Sequence, residues 1–119
     1  MDKLIALLFI FLSLPAFGQR SNPESFYVNE WCNRYAGEQE VVLEDRTRVD
    51  CVTYYHAIEF DFADKWAEAI GQALHYSIMT GKRAGIVLIV EDPGAMRYVE
   101  RVRNIVVEYS LPVEIWVTD

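Results

Sequence analysis

Cysteine is nearly absent from this sequence: among 119 residues only Cys32 and Cys51 carry a thiol. Two cysteines and two histidines, His56 and His75, at such wide spacing do not make a zinc site, which needs four ligands at tighter intervals. Basic residues are scarce as well, 11 Lys and Arg against 18 Asp and Glu, giving a formal net charge of -7. Nucleic-acid binders use a basic face to displace counterions from phosphates, so this composition argues against a nuclease; a local basic patch or a divalent cation would have to compensate. Internal repeats and low-complexity segments are missing, and the chain is too short for two domains. The longest apolar run, Leu4 to Phe17, is broken by Ser13 and Pro15. It falls short of the roughly 20 residues that an ordinary membrane span needs.

What is present at the N-terminus is a basic start at Lys3, that short apolar stretch, and small residues at Ala16 and Gly18. This is the pattern of a cleavable signal peptide, expected to cover residues 1–18 and to leave a single domain over residues 19–119. Export to the periplasm or the medium follows, with no membrane anchor after cleavage. Cleavage removes Asp2 and Lys3 together, so the mature net charge stays acidic. In an oxidising compartment an even pair of cysteines is expected to bridge, and Cys32–Cys51 would contribute about 3 kcal/mol by restricting the unfolded chain. Two buried free thiols are the alternative.

Just over half of the residues are apolar and about a quarter charged, the balance of a globular domain. Pro23-Glu24 opens a first helix to about Tyr35, with Asn22 as cap and Gly37 as stop. Residues 38–44 and 47–53 alternate as a β-hairpin. A third strand, His56 to Phe60, leads through Asp61, read as a helix N-cap, into a helix from about Ala63 to Thr80 closed by Gly81. Ala84 to Val90 is the near-continuous apolar run of a strand covered on both faces. A helix from Pro93 to about Tyr109 and a strand from Pro112 to Thr118 complete the order α-β-β-β-α-β-α-β. The expected fold is α/β, a mixed sheet flanked by helices.

Strand alternation puts Arg48, Asp50 and Val52 on one face, and Ala57, Glu59 and Asp61 on one face of the next strand. Asp50 and Glu59 thus interrupt apolar surroundings as neighbouring carboxylates, the oxygen ligands that Mg²⁺ takes. In the following helix Lys65, Ala69, Gln72 and Tyr76 fall within an arc of about 60°. They border a stripe of Trp66, Ile70, Ala73, Leu74 and Ser77, with Glu68 and His75 on the far side. His56 reads as structural, and Lys82-Arg83 as a solvated turn, with a phosphate contact as the alternative.

The stretch from Thr47 to Asp92, TRVDCVTYYHAIEFDFADKWAEAIGQALHYSIMTGKRAGIVLIVED, resembles small bacterial and phage proteins of the PD-(D/E)xK nuclease-like superfamily, with a restriction-endonuclease-like core. Gln72 and Tyr76 resemble the Gln-x-x-x-Tyr helix motif of RecB-type members. The resemblance implies a phosphodiesterase that hydrolyses DNA or RNA with Mg²⁺ or Mn²⁺. Asp50, Glu59 and the Phe60 carbonyl would hold the cation, with a further acid supplied by Glu40 or Glu38. Asp61 stands where the superfamily has a strand lysine, so Lys65 would supply the ammonium from the helix, positioned by Gln72 and supported by Tyr76. The same departure, with the acidic charge, allows the alternative of an exported, catalytically inactive nuclease fold that binds a protein partner.

Overall fold

The computed structural model describes residues 20–119, so the expected leader lies outside the described residues. The elements run α1 (Glu24–Arg34), β1 (Glu38–Val42), β2 (Arg48–Val52), β3 (His56–Phe62), a 3-10 turn (Ala63–Lys65), α2 (Trp66–Thr80), β4 (Arg83–Ile89), a second 3-10 turn (Pro93–Ala95), α3 (Met96–Glu108) and β5 (Val113–Thr118). This is an α/β fold in the expected order. The five strands lie side by side in sequence order. β1, β2 and β3 pair antiparallel, while β3, β4 and β5 pair parallel.

Parallel neighbours need crossover connections, and α2 and α3 supply them. Both crossovers step the same way across the sheet, and their common hand brings both helices to one face. Ala69 and Ala73 of α2 and Val99 and Val102 of α3 accordingly pack on Ala84, Ile86 and Leu88 of β4. α1 covers the opposite face, where Val28, Trp31 and Cys32 meet Ile58, Phe60 and Val87. Each Val, Leu, Ile or Phe side chain among these, fully buried, contributes about 1.5–3 kcal/mol. β4 has apolar contacts on both faces, the reason its sequence does not alternate.

Cys32 and Cys51 form a disulfide that ties α1 to β2. Gly37 beside it is needed for space: a Cβ there would lie 2.5 Å from Cys51 Sγ and 2.6 Å from Cys32 Sγ. The left-handed residue that ends α1 is Ala36, with φ 53°, rather than that glycine. Gly81 does close α2 in the left-handed region, as expected.

Two expected caps are corrected. Asn22 does not cap α1, whose N-cap is Pro23. Its backbone N–H, like that of Ser21, points to Glu91 Oε2, which also accepts from the Tyr27 hydroxyl at 2.6 Å. Glu91 therefore anchors the start of α1 to the end of β4. Asp61 is not an N-cap either, because β3 continues to Phe62 and Asp61 remains inside the strand. The parallel ladder with β4 runs unbroken from His56↔Arg83 to Phe62↔Ile89, which holds Asp61 extended.

Candidate functional site

The β2–β3 ladder is short. It pairs Cys51 with Ile58 and Val52 with Ala57 and goes no further. Beyond it the Phe60 N–H donates to Asp50 Oδ2 at 2.8 Å, so a side-chain carboxylate takes the place of a strand carbonyl. The outer ladder breaks at the same level. β1 and β2 pair on both sides of Glu40 and Asp50 but not through them, and Glu40 sits at φ 54°, a left-handed conformation strained for a non-glycine residue. The sheet thus parts between β2 and β3 at Asp50. In an extended strand a residue's N–H and C=O point to the same side, so the Phe60 carbonyl faces β2 as well.

Alternation on β3 places its residues as expected. Ile58 and Phe60 face α1, whereas Ala57 packs with Tyr76 of α2. Glu59 and Asp61 share that second face and are buried, at 4% and 9% exposure. One oxygen of each, Glu59 Oε2 and Asp61 Oδ2, is buried without a hydrogen-bond partner. Such oxygens are uncommon in folded proteins because each forfeits its hydration without replacement.

The charges around these groups define one cluster. Burial pushes the Glu59 carboxyl far above the ordinary range, helped by its contact with the Asp50 carboxyl and by the charges of Asp61 and Glu24. Asp61 is raised to about 7 by burial, then by Glu24, Asp50 and Glu68, with Lys65 opposing. Glu24 is likewise raised to about 7 by burial, Asp50 and Glu40, again opposed by Lys65. The Tyr76 hydroxyl is pushed up to about 12, by burial first and then by Glu59, Asp50 and Asp61. Four carboxyls from three elements therefore crowd one place, against one ammonium.

Of the residues expected from the sequence, Asp50, Glu59 and Tyr76 come together here, and Lys65 acts on the cluster from its exposed position at the head of α2. Tyr76 belongs to the buried stripe of α2, with Ala69 and Ala73, rather than to its edge. Gln72, one turn earlier, is exposed. Glu40 lies at the rim, where Arg48 meets it at 2.7 Å. Glu68, expected on the far side of α2, is close enough to act on Asp61.

Glu24 is the residue that sequence reasoning missed. Its signal was present: Glu24, Tyr27, Val28 and Trp31 stand at helical spacing, so Glu24 extends the sheet-facing stripe of α1 by one turn. The local fold explains its approach to Asp50, because Glu91 fixes the first turn of α1 at the sheet.

The donor set is all oxygen, the chemistry that suits Mg²⁺ or Mn²⁺, and two of its oxygens are orphaned. Among the described residues, no three Asp, Glu, His or Cys side chains converge tightly enough to hold a metal ion as they stand. The carboxyls are gathered but not closed around a point, as mutual repulsion would keep them. Among the described residues no helix is long and apolar enough to cross a membrane. No family model matches the chain, and no curated protein or solved structure matches it either.

Proposed function

We propose that this protein is an exported, divalent-cation-dependent phosphodiesterase acting on nucleic acid, with its site at the parting of β2 and β3. The observation that carries this reading is the pair of buried, unpartnered carboxylate oxygens on Glu59 and Asp61, beside Asp50 and Glu24. Without a counterion this arrangement costs stability, and a fold that retains it gains something from the charge. A hard dication satisfies the orphaned oxygens and relieves the repulsion.

Asp50, Glu59 and the Phe60 carbonyl would hold the cation, and Asp61 and Glu24 extend the same donor set. Asp50 keeps Oδ1 for this role, since Oδ2 is spent on the Phe60 N–H. When bound, the cation would polarise a phosphoryl oxygen and lower the cost of forming hydroxide. Lys65 would orient the attacking water and stabilise charge developing on the phosphate. Tyr76, packed against Val49 and Ala57, fixes the wall behind Glu59. Export is supported by the Cys32–Cys51 disulfide, a bond that persists in oxidising compartments.

One observation favours a second reading, a nuclease fold that binds a protein partner without catalysis. Asp61 adds a negative charge where the superfamily resemblance calls for a lysine, and Lys65 remains solvent-exposed. Calorimetric titration with Mn²⁺, followed by incubation with single-stranded and duplex DNA and RNA, separates the two. Binding and cleavage in the wild type, both lost in Glu59→Gln with the circular-dichroism spectrum unchanged, are expected. Cleavage retained in Glu59→Gln rejects this site; Mn²⁺ binding without cleavage of any substrate selects the partner-binding reading.

A further inference from the structure

A second concave surface lies at the other end of α1. It is a cavity of about 390 Å³ lined by Trp31, Tyr35, Tyr54, Tyr55, His56 and Trp116, among others. Its floor is a packed set of rings, with centroids 5.4 Å apart for Trp31 and Trp116 and 5.1 Å for His56 and Trp116. Its rim is unusual because three tyrosines stand in water: Tyr35 is 52% exposed, Tyr54 83% and Tyr55 63%. Tyr54 and Tyr55 occupy the β2–β3 turn, a place where small polar residues are usual.

That turn is held rigidly. Thr53 N–H donates to the His56 carbonyl at 2.9 Å, and His56 N–H to Thr53 Oγ1 at 3.1 Å. Lys82 Nζ donates to the Thr53 and Tyr54 carbonyls, both at 2.8 Å, and the Arg83 N–H reaches the Tyr55 carbonyl at 2.9 Å. Lys82 is therefore not the solvated residue expected from sequence but a clamp on the turn that carries the two tyrosines, whereas the Arg83 side chain is exposed as expected and only its backbone N–H takes part. Aromatic faces displayed on a fixed backbone lose little freedom when a flat ring stacks on them.

Charge selects among the flat or apolar ligands that such a cleft would take. Lys82 and Arg83 adjoin it, with Lys82 Nζ 5.7 Å from the Tyr54 ring centroid and the Arg83 N–H on the Tyr55 carbonyl, in a chain whose overall count is 11 cations to 18 acids. Arg83 is only loosely engaged, 3.9 Å from Glu114, which lies nearer to His56 at 3.0 Å. From Glu24 to Trp31 is seven residues of helix, or about 10 Å at the α-helical rise, which is a reach of a few nucleotides.

We propose that the Trp31–Tyr54–Tyr55–Trp116 cleft stacks the bases of a single-stranded nucleic acid and, resting on the phosphodiesterase reading above, presents the adjoining strand to the carboxylates. Lys82 and Arg83 flank the phosphates, and the rings take bases with little regard to sequence.

The test is binding of a fluorescent dodecathymidylate to the purified protein in EDTA, where no hydrolysis competes. Salt-sensitive binding is expected. Tyr54→Ala/Tyr55→Ala should weaken it by about tenfold or more, while Tyr54→Phe/Tyr55→Phe retains it. Both tyrosines are exposed, so the alanine pair should fold, which a thermal melt verifies. No binding by the wild type, or binding indifferent to the alanine pair, overturns the proposal. So does a cleft that takes a proline-rich peptide and leaves the oligonucleotide free. Tyrosine-dependent binding without Mn²⁺-dependent cleavage overturns the hydrolase reading only; cleavage with tyrosine-independent binding overturns the cleft only.

Discussion

Replacing Asp61 by asparagine should stabilise the metal-free protein, and more so as the pH rises. Asp61 is nine-tenths buried and one of its oxygens has no partner. Its carboxyl rises from 3.8 to about 7, chiefly through burial and then through Glu24 and Asp50. A raised folded value means that between those two pH values the native state holds a proton that the unfolded chain has released. Stability is therefore full below pH 4 and declines until the pH passes 7. The whole shift corresponds to about 4 kcal/mol, of which about 2–3 kcal/mol falls between pH 5 and pH 8.5. For a domain of this size that is roughly 10–20 °C in melting temperature. An asparagine side chain cannot ionise, so melts of Asp61→Asn and wild type in EDTA should draw apart by that amount between the two pH values. Mn²⁺ should narrow the gap at pH 8.5 by stabilising the wild type more than the variant, which keeps Asp50 and Glu59 but lacks one carboxylate. Two parallel pH curves would refute the premise that the fold confines this carboxyl in a poor environment.

Other perturbations probe the supports of the site. Cys32→Ser/Cys51→Ser opens a loop of sequence separation 19 and should cost about 3 kcal/mol in urea unfolding; an unchanged midpoint would mean that the bridge does not constrain the unfolded chain. Gly37→Ala drives a Cβ against both sulfurs and should cost about 1–3 kcal/mol, less when the disulfide is reduced. Loss of equal size in both redox states would place the strain elsewhere. Lys82→Met removes the donor to the Thr53 and Tyr54 carbonyls; limited proteolysis should then cut at Tyr54 or Tyr55, and resistance equal to the wild type would show that the turn holds itself.

The elements were legible because their periodicities are clean. β4 reads as a continuous apolar run, and it is a strand with helices on both faces. The 3.6-residue stripe of α2 and the two-residue alternation of β3 placed Glu59, Asp61 and Tyr76 on surfaces that do meet. What failed was local chemistry that long-range pairing overrides. Asp61 before Phe62-Ala63 has the look of a cap, yet the parallel ladder to Ile89 keeps the strand extended past it. Asn22 before Pro23 looks like a cap as well, yet the helix takes Pro23 as its N-cap and leaves Asn22 one residue outside, its N–H on Glu91, 69 residues away.

Glu24 and the Lys82 clamp show the same limit from the side of function. Nothing in the residues beside Glu24 says that it borders Asp50; the disulfide at Cys32 and the anchor at Glu91 fix that approach, and both are made across the sheet. Lys82 reads as solvated because its partners are the carbonyls of residues 28 and 29 positions earlier, which carry no side-chain signal at all. One device fixes the first turn of α1 and the other the turn between β2 and β3. The parting of the strands that exposes Asp50 begins right beside the point where Cys51 and Ile58 still pair. The short ladder thus has opposite tasks at its two ends: it must release β2 from β3 at the carboxylates and hold them together beneath the tyrosines. Cys51 stands at that boundary, paired with Ile58 on one side and locked to α1 through Cys32 on the other.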